Sequence, residues 1–409
     1  MDPDFIEMAN EIKSKTILHW NCRGLMKLPK AIKLYGSHIK EIYLKWNKLT
    51  TLPPWIMKLF NVTSLYMHGN LIEQLPVEFG KMNQLTVLNL DANQLKQVPI
   101  CIGNLRNLKH LSMNNNFIEE LPIELSQLSN LQILSVSSNQ IIALPEWTGS
   151  LPKLEELYAD NNLLKELPNR LTLAPELSMI SVSLNRLTYF PLNGFLSSPV
   201  IIFDANEYLN YVSYPLLLQI LSQGAIINRL SLAYGCFKTH YNTNVSSTNI
   251  KLYIETKGLY ENKTDIIIEL PRQLLKIHKV HENVTCSLWE LALRKIYTER
   301  YKHTLELDIS SPNVTIFYSL LPKDTKLDFI LSTMNCISYN LLTNGPISIC
   351  VNSQCEQPIF TEAWTIVGVH SMVVMETVIT IALCCSKSCA SAFTTHSNFL
   401  RKFRWHSIN

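Results

Sequence analysis

The chain has 409 residues, of which 47% are hydrophobic and 17% are charged, and its formal net charge is +3. This composition is typical of a folded protein and excludes a disordered chain. The length is sufficient for one large domain and one or two smaller units. Since no basic stripe accompanies the small net charge, we expect no nucleic-acid partner.

The first ten residues contain Asp2, Asp4 and Glu7 and lack the apolar segment of a secretory signal. We therefore expect an intracellular protein, located in the cytoplasm or the nucleus. In a reducing compartment the ten cysteines should be free, buried or bound to metal rather than joined in disulfides. Residues 1–15 are predicted to form a short helical lead-in.

Seven copies of one pattern follow between Ile39 and Leu196 at a constant step of 23 residues. The pattern reads L-x-x-L-x-L-x-x-N-x-L-x-x-L-P-x-x-I, and seven prolines from Pro53 to Pro191 keep the same step. This is the pattern of the leucine-rich repeat in its 23-residue form. Its asparagine positions are Asn47, Asn70, Asn93, Asn116, Asn139, Asn162 and Asn185.

The spacing within each repeat predicts a short strand, a turn and a return segment. Alternating apolar residues predict a strand with one buried face, and the asparagine amide should satisfy backbone groups of neighbouring coils. The proline begins a short helix or turn whose apolar side is buried. Because no repeat buries its own apolar face, we predict an α/β solenoid with parallel strands on a concave wall and short helices or turns outside.

We predict that this solenoid occupies residues 16–215 and contains about nine repeats. The first repeat is degenerate and has Arg23 at the asparagine position. The last repeat keeps the strand pattern but lacks a Leu-Pro pair, and its Asn206 follows Asn185 by 21 residues. Such divergence is typical of terminal repeats, which cap the stack.

Side chains beside the strand leucines are expected to line the concave wall, where solenoids generally bind protein. Tyrosine suits such a surface because it offers a large contact area at low entropic cost. The alternative is a concave wall that is simply solvated and has no dedicated partner, because it would show the same alternation of apolar and polar residues. The predicted partner-binding residues are Tyr43, Lys45, Tyr66, His68, Asp91, His110, Glu156, Tyr158 and Asp160.

The repeat is absent from residues 216–286, for which we predict a small strand-containing unit. Alternating apolar residues at 251–255 and 265–269 predict strands. The run rich in Asn, Ser and Thr at 242–249 predicts a loop.

Residues 287–345 are predicted to form a helical segment that begins at Ser287. Ser287 and Glu290 have the spacing of a capping box. The pattern also predicts an apolar face on this helix. The simplest interpretation is a helix that packs this face against its own domain. That face comprises Leu288, Leu291, Ala292 and Ile296.

The same segment resembles a BC box, the short helix with which substrate receptors of ubiquitin ligases dock on elongin C. The box reads S/T-L-x-x-x-C-x-x-x-hydrophobic, and the resemblance implies that Leu288 fills a pocket on elongin C. A cullin-selecting segment should follow, but neither Pro312 nor the pair Leu321 and Pro322 is followed by a clean apolar spacing. The matching positions are Ser287, Leu288, Ala292 and Ile296, with alanine where the box prefers cysteine.

Residues 346–395 contain two cysteine pairs and are predicted to form a zinc module, and residues 396–409 are predicted to form a tail. The pairs, C-x4-C and C-x3-C, could place four thiolates tetrahedrally around a structural zinc. Two unrelated pairs of buried thiols are the alternative. A closed set of four ligands leaves no open coordination position, so we expect no metal catalysis. The predicted ligands are Cys350, Cys355, Cys385 and Cys389.

The segment from Thr365 to Cys385 is also long enough to span a bilayer. It contains His370 and Glu376, and each is costly at the centre of a membrane. We therefore favour strands over a membrane anchor, with the apolar stretches near Ile359 and at residues 373–383 forming a strand pair.

Three motifs together resemble the leucine-rich repeat-containing protein 58-like family and, less closely, leucine-rich repeat-containing protein 28. They are the 23-residue Leu-Pro repeats, Ser-Leu-x-Glu-Leu-Ala, and Cys-Val-Asn-x-x-Cys with a distant C-x3-C. No phosphate-binding glycine loop, nucleophile elbow or H-E-x-x-H is present in the sequence. We therefore expect a non-enzymatic protein with a smaller mixed α+β C-terminal region.

Two functions fit these patterns. The first is a substrate receptor of an elongin-cullin-RING ubiquitin ligase that recognises its target on the concave wall. The second is an intracellular signalling scaffold that binds a small GTPase or another protein there.

Overall fold

The computed structural model describes residues 3–222, 251–254, 266–278, 284–305, 336–355, 357–371, 377–396 and 404–407. The chain divides into two compact units. The first unit comprises Met1–Leu164, Ala174–Asn185 and Pro199–Phe203. The second comprises Lys165–Leu173, Arg186–Ser198 and Asp204–Asn409.

The first unit contains a parallel sheet of nine short strands whose order follows the chain. Equivalent positions of successive repeats lie side by side, for example Leu65 beside Leu88. This arrangement confirms the predicted solenoid of nine repeats. The strands are β1 (Ile17–His19), β2 (Glu41–Tyr43), β3 (Ser64–Tyr66), β4 (Val87–Asn89), β5 (His110–Ser112), β6 (Ile133–Ser135), β7 (Glu156–Tyr158), β8 (Met179–Ser181) and β9 (Val200–Ile202).

The return segments of the first unit are short helices that begin just after the repeat prolines. Proline suits this place because its fixed φ and missing N–H favour the start of a helix. Each helix buries an apolar side chain, such as Phe79 or Leu125. They are α2 (Lys30–Tyr35) and the 3₁₀ helices Pro54–Lys58, Val77–Lys81, Ile100–Asn104, Ile123–Gln127 and Glu146–Ser150.

The repeat asparagines form a buried ladder, as the pattern predicts. Asn93 is typical: its Oδ1 accepts the N–H of Ile72 at 3.0 Å. Its Nδ2 donates to the carbonyl of Met67 at 3.1 Å and to that of Leu90 at 3.0 Å. One side chain thus joins backbone groups of neighbouring coils that have no partner in the strand ladder.

The N-terminal end of the first unit is capped by α1 (Pro3–Ser14). The Glu11 carboxylate accepts hydrogen bonds from Trp20 Nε1 at 3.1 Å and from both Arg23 terminal nitrogens at 3.0 and 3.2 Å. Lys15 pairs with it at 3.2 Å. Burial raises the pKa of Glu11, but these hydrogen bonds outweigh it and hold the pKa below its ordinary value. Arg23, at the asparagine position of the first repeat, therefore belongs to the cap.

The second unit is built on a mixed sheet in the order β10, β17, β16, β13, with β18 paired to β16. Its strands are β10 (Tyr211–Ser213), β11 (Lys251–Ile254), β12 (Ile266–Glu269), β13 (Lys276–His278), β14 (Ser348–Ile349), β15 (Pro358–Ile359), β16 (Glu362–Ser371), β17 (Thr377–Cys384) and β18 (Arg404–Ser407). Its helices are α3 (Tyr214–Ser222), α4 (Leu288–Leu305), α5 (Cys336–Asn344), α6 (Lys387–His396) and the 3₁₀ helix Asn169–Leu173.

The strands predicted at 251–255 and 265–269 are confirmed as the antiparallel pair β11 and β12. The predicted pairing of Ile359 with residues 373–383 is wrong. Ile359 lies in β15 and pairs with β14, whereas β17 pairs with the longer β16.

No helix in the described part of the chain is long and apolar enough to cross a membrane. Residues 365–371 and 377–384 instead form the antiparallel strands β16 and β17, as predicted. The predicted loop at 242–249, Pro312, and the pair Leu321 and Pro322 lie outside the described residues.

Candidate functional site

Aromatic rings from the first three repeats stack on one another on the concave wall. The centroids of His19 and Tyr43 lie 4.8 Å apart, and those of Tyr43 and Tyr66 lie 4.6 Å apart. Lys45 Nζ lies 5.1 Å from the Tyr66 centroid and 5.7 Å from that of Tyr43. The Tyr43 hydroxyl donates to Glu41 at 2.9 Å, which raises the pKa of Tyr43 to about 12.

Trp46 extends this group of rings and was missed by the sequence analysis. It precedes the repeat asparagine, outside the strand alternation, and its side chain is 59% exposed. Its indole meets the His68 ring edge-on at 4.7 Å. A Cβ atom on Gly69 would lie 2.5 Å from the indole, so any side chain at this position would displace Trp46 from its place. The sequence feature that could have identified Trp46 is Gly69, which lies one repeat after it and leaves room for the indole.

The Asp91 carboxylate is hydrogen-bonded to other residues of the concave wall. It accepts the Ser112 hydroxyl at 2.6 Å and the backbone N–H of Asn114 at 2.7 Å. The Asn89 amide donates to its other oxygen at 2.9 Å. This carboxylate therefore joins two repeats, and few of its lone pairs remain for a partner.

Asp160 repeats the arrangement further along the wall. It accepts the Ser181 hydroxyl at 2.6 Å and the N–H of Ser183 at 2.8 Å. The neighbouring Tyr158 hydroxyl donates to Glu156 at 2.8 Å, and this hydrogen bond raises the pKa of Tyr158.

The structure leaves all nine predicted concave residues exposed or half-buried, and His110 is among the exposed ones. Two regions of the wall thus differ in character. The first three repeats present stacked rings and a lysine, while the later ones present polar groups bonded to each other.

Helix α4 begins as predicted, because the Ser287 hydroxyl accepts the N–H of Glu290 at 3.2 Å. The reciprocal half of the predicted capping box is wrong. The Glu290 carboxylate is buried and accepts the N–H groups of Phe360 at 3.0 Å and Thr361 at 2.7 Å. The Ser287 N–H donates instead to Glu362, at 3.3 Å from each oxygen.

The single apolar face predicted for α4 is also wrong. Leu293 is fully buried in a cluster with Leu341, Leu342 and Phe360, and Ile296 packs against that cluster. Leu288 is 85% exposed and Leu291 45% exposed, and Ala292 is exposed as well. The opposite side of the helix is buried instead, because it carries the charged residues Glu290 and Arg294. A hydrophobic pattern cannot predict the burial of charged residues.

The second of these charged residues, Arg294, connects α4 to its surroundings. Its Nε donates to Glu290 at 2.7 Å. Its terminal nitrogens donate to the carbonyls of Cys385 at 3.1 Å and Glu362 at 3.2 Å. One guanidinium therefore fixes the helix against β16 and against the second cysteine pair.

The four predicted metal ligands lie together in the second unit. The Sγ atoms of Cys350, Cys355, Cys385 and Cys389 all lie within 4.8 Å of one another. The distance from Cys355 Sγ to Cys385 Sγ is 3.4 Å, and that from Cys385 Sγ to Cys389 Sγ is 3.7 Å. Sulfurs around a tetrahedral zinc with bonds of roughly 2.3 Å lie about 3.8 Å apart, so this cluster fits such an ion.

Each cysteine pair is held by its own turn. Cys350 N–H donates to the Gln357 carbonyl and Cys355 N–H to that of Asn352, both at 2.9 Å, between β14 and β15. At the start of α6, the N–H of Cys389 donates to the Ser386 hydroxyl at 3.2 Å. The C-x4-C and C-x3-C spacings therefore bring each pair together locally, and the sheet brings the two pairs to one place.

The thiols of the cluster influence one another's ionisation. Hydrogen bonds from the Cys384 and Cys385 side chains lower the pKa of Cys350. The same contacts, together with burial, raise the pKa of Cys384 and of Cys385. A bound cation is what would let several of these groups become thiolates at once.

Comparison with known proteins supports the repeat assignment. Residues 37–95 and 106–164 match the family described as Leucine rich repeat. No curated protein matches the chain. The resemblance to the leucine-rich repeat-containing protein 58-like family therefore stays a prediction.

Three solved structures are similar to part of the chain. An LRR protein of Leptospira interrogans is 26% identical over 56% of this chain and 62% of its own, with a TM-score of 0.45. Plant peptide hormone receptor RGFR1, in complex with RGF2, is 23% identical over 49% of this chain and 36% of its own, with a TM-score of 0.39. Internalin C2 from Listeria monocytogenes is 20% identical over 58% of this chain and 92% of its own, with a TM-score of 0.40. The chain thus spans less than two thirds of the first two proteins.

Proposed function

Because this chain carries the leucine-rich repeats of a solenoid, we propose that it is a non-enzymatic recognition protein whose concave wall binds a protein partner. A rigid parallel sheet with stacked tyrosines supports this proposal, since Tyr and Trp contribute strongly to interfaces. The protein is expected to act inside the cell.

We further propose that α4 docks on elongin C, which makes the protein a substrate receptor of an elongin-cullin-RING ubiquitin ligase. The observation that carries this proposal is the 85% exposure of Leu288. A leucine this exposed, with Leu291 and Ala292 on the same open side, is available as an anchor for a pocket. Ser287, which caps the helix, matches the first position of the BC box.

We also propose that the cysteine cluster holds a structural zinc. Four sulfur ligands would fill its coordination sphere, so the ion would stabilise the fold rather than activate water. The cluster includes Cys385, whose carbonyl accepts a hydrogen bond from Arg294. The proposed zinc therefore supports the same part of the unit that holds α4. Membership of the leucine-rich repeat-containing protein 58-like family is a proposal that rests on three motifs together, namely the Leu-Pro repeats, Ser-Leu-x-Glu-Leu-Ala, and Cys-Val-Asn-x-x-Cys with a distant C-x3-C.

Affinity capture from cell extract tests the ligase proposal. The intact chain, Leu288→Asp and the control Leu275→Asp serve as baits, and mass spectrometry identifies the captured proteins. Leu275 is 59% exposed and lies in the same unit, so it matches Leu288 in chemistry. We expect elongin C and a cullin with the intact chain and with Leu275→Asp, and neither with Leu288→Asp. Absence of elongin C from the intact bait, or its retention by Leu288→Asp, contradicts the proposal.

The alternative function, a signalling scaffold, uses only the concave wall. It predicts that a small GTPase or another partner is captured equally by the intact chain and by Leu288→Asp. Capture of such a partner without elongin C would favour the scaffold over the ligase receptor.

A further inference from the structure

We infer that the N-terminal end of the concave wall is a binding site for an acidic protein segment, with Trp46 and Lys45 as its anchors. This inference rests on the proposed protein-binding function and names the class of partner. The site, called the aromatic-basic patch here, comprises His19, Tyr43, Lys45, Trp46, Tyr66 and His68.

The first argument is the distribution of charge along the chain. Residues 1–58 contain ten Lys and Arg residues and five acidic residues, of which Glu11 pairs with Lys15 and Arg23. The rest of the chain contains 26 basic and 28 acidic residues, so the net positive charge lies at this end. A positive potential confined to one end of a solenoid attracts and orients an acidic partner.

The second argument is the availability of Lys45. Its ammonium lies near two tyrosine rings, and within the described segments it forms no ion pair. Further along the wall, Asp91 and Asp160 are occupied by hydrogen bonds to neighbouring repeats. The carboxylate that Lys45 lacks is therefore one that a partner can supply.

The third argument is the exposure of Trp46. Its positive φ (+55°) is shared by the equivalent position of each later repeat, so the left-handed conformation belongs to the repeat turn. What distinguishes Trp46 is a large indole that is 59% exposed, and aromatic side chains of this kind are enriched at protein interfaces. The equivalent positions of later repeats are Gly69, Ala92, Asn115, Ser138, Asn161 and Leu184.

The fourth argument is that these groups are already ordered. The Trp46 indole lies against Gly69 and the edge of His68, and the Tyr43 and Tyr66 rings differ in plane by only 10°. Side chains fixed in place lose little entropy on binding. Trp, Tyr and a nearby cation are the residue types that dominate binding energy at interfaces.

A protein segment fits this patch better than a nucleic acid. A phosphate backbone requires a row of cations, whereas among these rings lies one ammonium, that of Lys45. The nearby Glu41 carboxylate accepts the Tyr43 hydroxyl. A segment that alternates carboxylates with aromatic or apolar side chains matches both the lysine and the exposed indole.

The probe for the test is a fluorescein-labelled copolymer of glutamate and tyrosine, and anisotropy measures its binding to the full chain. We expect saturable binding that Trp46→Gly and Lys45→Glu each weaken by about thirtyfold, the loss at which an interface residue counts as a hot spot. Two matched variants should leave the affinity unchanged. Leu184→Gly removes a residue that is 57% exposed with a φ of +56°, and Lys109→Glu reverses an exposed charge further along the repeats.

Thermal unfolding provides the control for folding. Glycine adopts a positive φ without strain, so Trp46→Gly should unfold no earlier than the intact chain. A loss of copolymer binding by this variant then reports the missing indole contact.

Three results would overturn the inference. The copolymer binds no better than a labelled copolymer of lysine and tyrosine; or Leu184→Gly weakens binding as much as Trp46→Gly; or a 20-nucleotide single-stranded DNA binds more tightly with the same dependence on Lys45. Failure here is distinct from failure of the proposed function. If the intact chain captures a protein from extract and Trp46→Gly captures it equally, only the inference about the patch fails.

Discussion

The two units of this protein are stabilised in opposite ways. In the first unit the same contact recurs at every regular repeat: each asparagine from Asn47 to Asn185 bonds backbone groups of the adjacent coil. In the second unit the important contacts occur once, as in the pair of Glu290 and Arg294 and the four-cysteine cluster. Loss of one group should therefore be a local event in the first unit and a general one in the second.

The largest effect is expected from Cys389→Ser, which removes one of the four sulfurs that we propose to bind zinc. Structural zinc sites contribute on the order of 10 kcal/mol to folding, so the variant should lose both its zinc and the unfolding transition of the second unit. Metal analysis and scanning calorimetry measure these quantities, and the transition of the repeats should persist. Cys22→Ser, at an exposed cysteine of the first unit, is the control. One equivalent of zinc retained by Cys389→Ser would refute the cluster as its site.

A smaller loss is expected from Glu290→Ala. The substitution leaves the buried Arg294 guanidinium without its carboxylate, and removing one partner of a buried ion pair costs about 3–5 kcal/mol. Chemical denaturation of the second unit measures this cost. The double variant Glu290→Met with Arg294→Met should recover part of it, because no buried charge remains. If Glu290→Ala lowers the free energy of unfolding no more than alanine substitution of an exposed glutamate does, this pair does not anchor α4.

Asparagine substitutions in the repeats should cost less and should cost the same wherever they are made. Asn70→Ala and Asn116→Ala each leave buried backbone groups unpaired, at about 1–3 kcal/mol per group. Denaturation of the first unit compares them, with the exposed Asn83→Ala as control. Clearly different costs for Asn70 and Asn116 would contradict the equivalence of the repeats.

The smallest effect concerns pH at the N-terminal cap. The pKa of Glu11 is lower in the folded state, so its contribution is complete above the unfolded pKa of about 4.3 and is lost as the pH falls through the folded value. Because Glu11 is partly exposed, we expect about 1 kcal/mol or less. Melting of the first unit between pH 3 and 7 measures it. Glu11→Gln should flatten the acid side of the profile, and Glu7→Gln should not. An unchanged profile for Glu11→Gln would remove Glu11 from this role.

The same contrast explains what the sequence could predict. The 23-residue step predicted nine strands and the asparagine ladder because every repeat meets the same requirement. The cysteine spacings predicted the cluster because each pair closes in a local turn. The buried face of α4 could not be predicted, since Glu290 and Arg294 occupy it and a hydrophobic pattern excludes charged residues. Trp46 was missed because it lies between the strand and the asparagine.

The central claim is that the repeats recognise a partner while the open face of α4 docks on elongin C. Titration calorimetry of purified elongin C into the full chain tests it most directly. The account predicts saturable binding with one site per chain, lost in Leu288→Asp and kept in Leu275→Asp, with both variants folded. No heat of binding with the intact chain, or equal binding by Leu288→Asp, would contradict it.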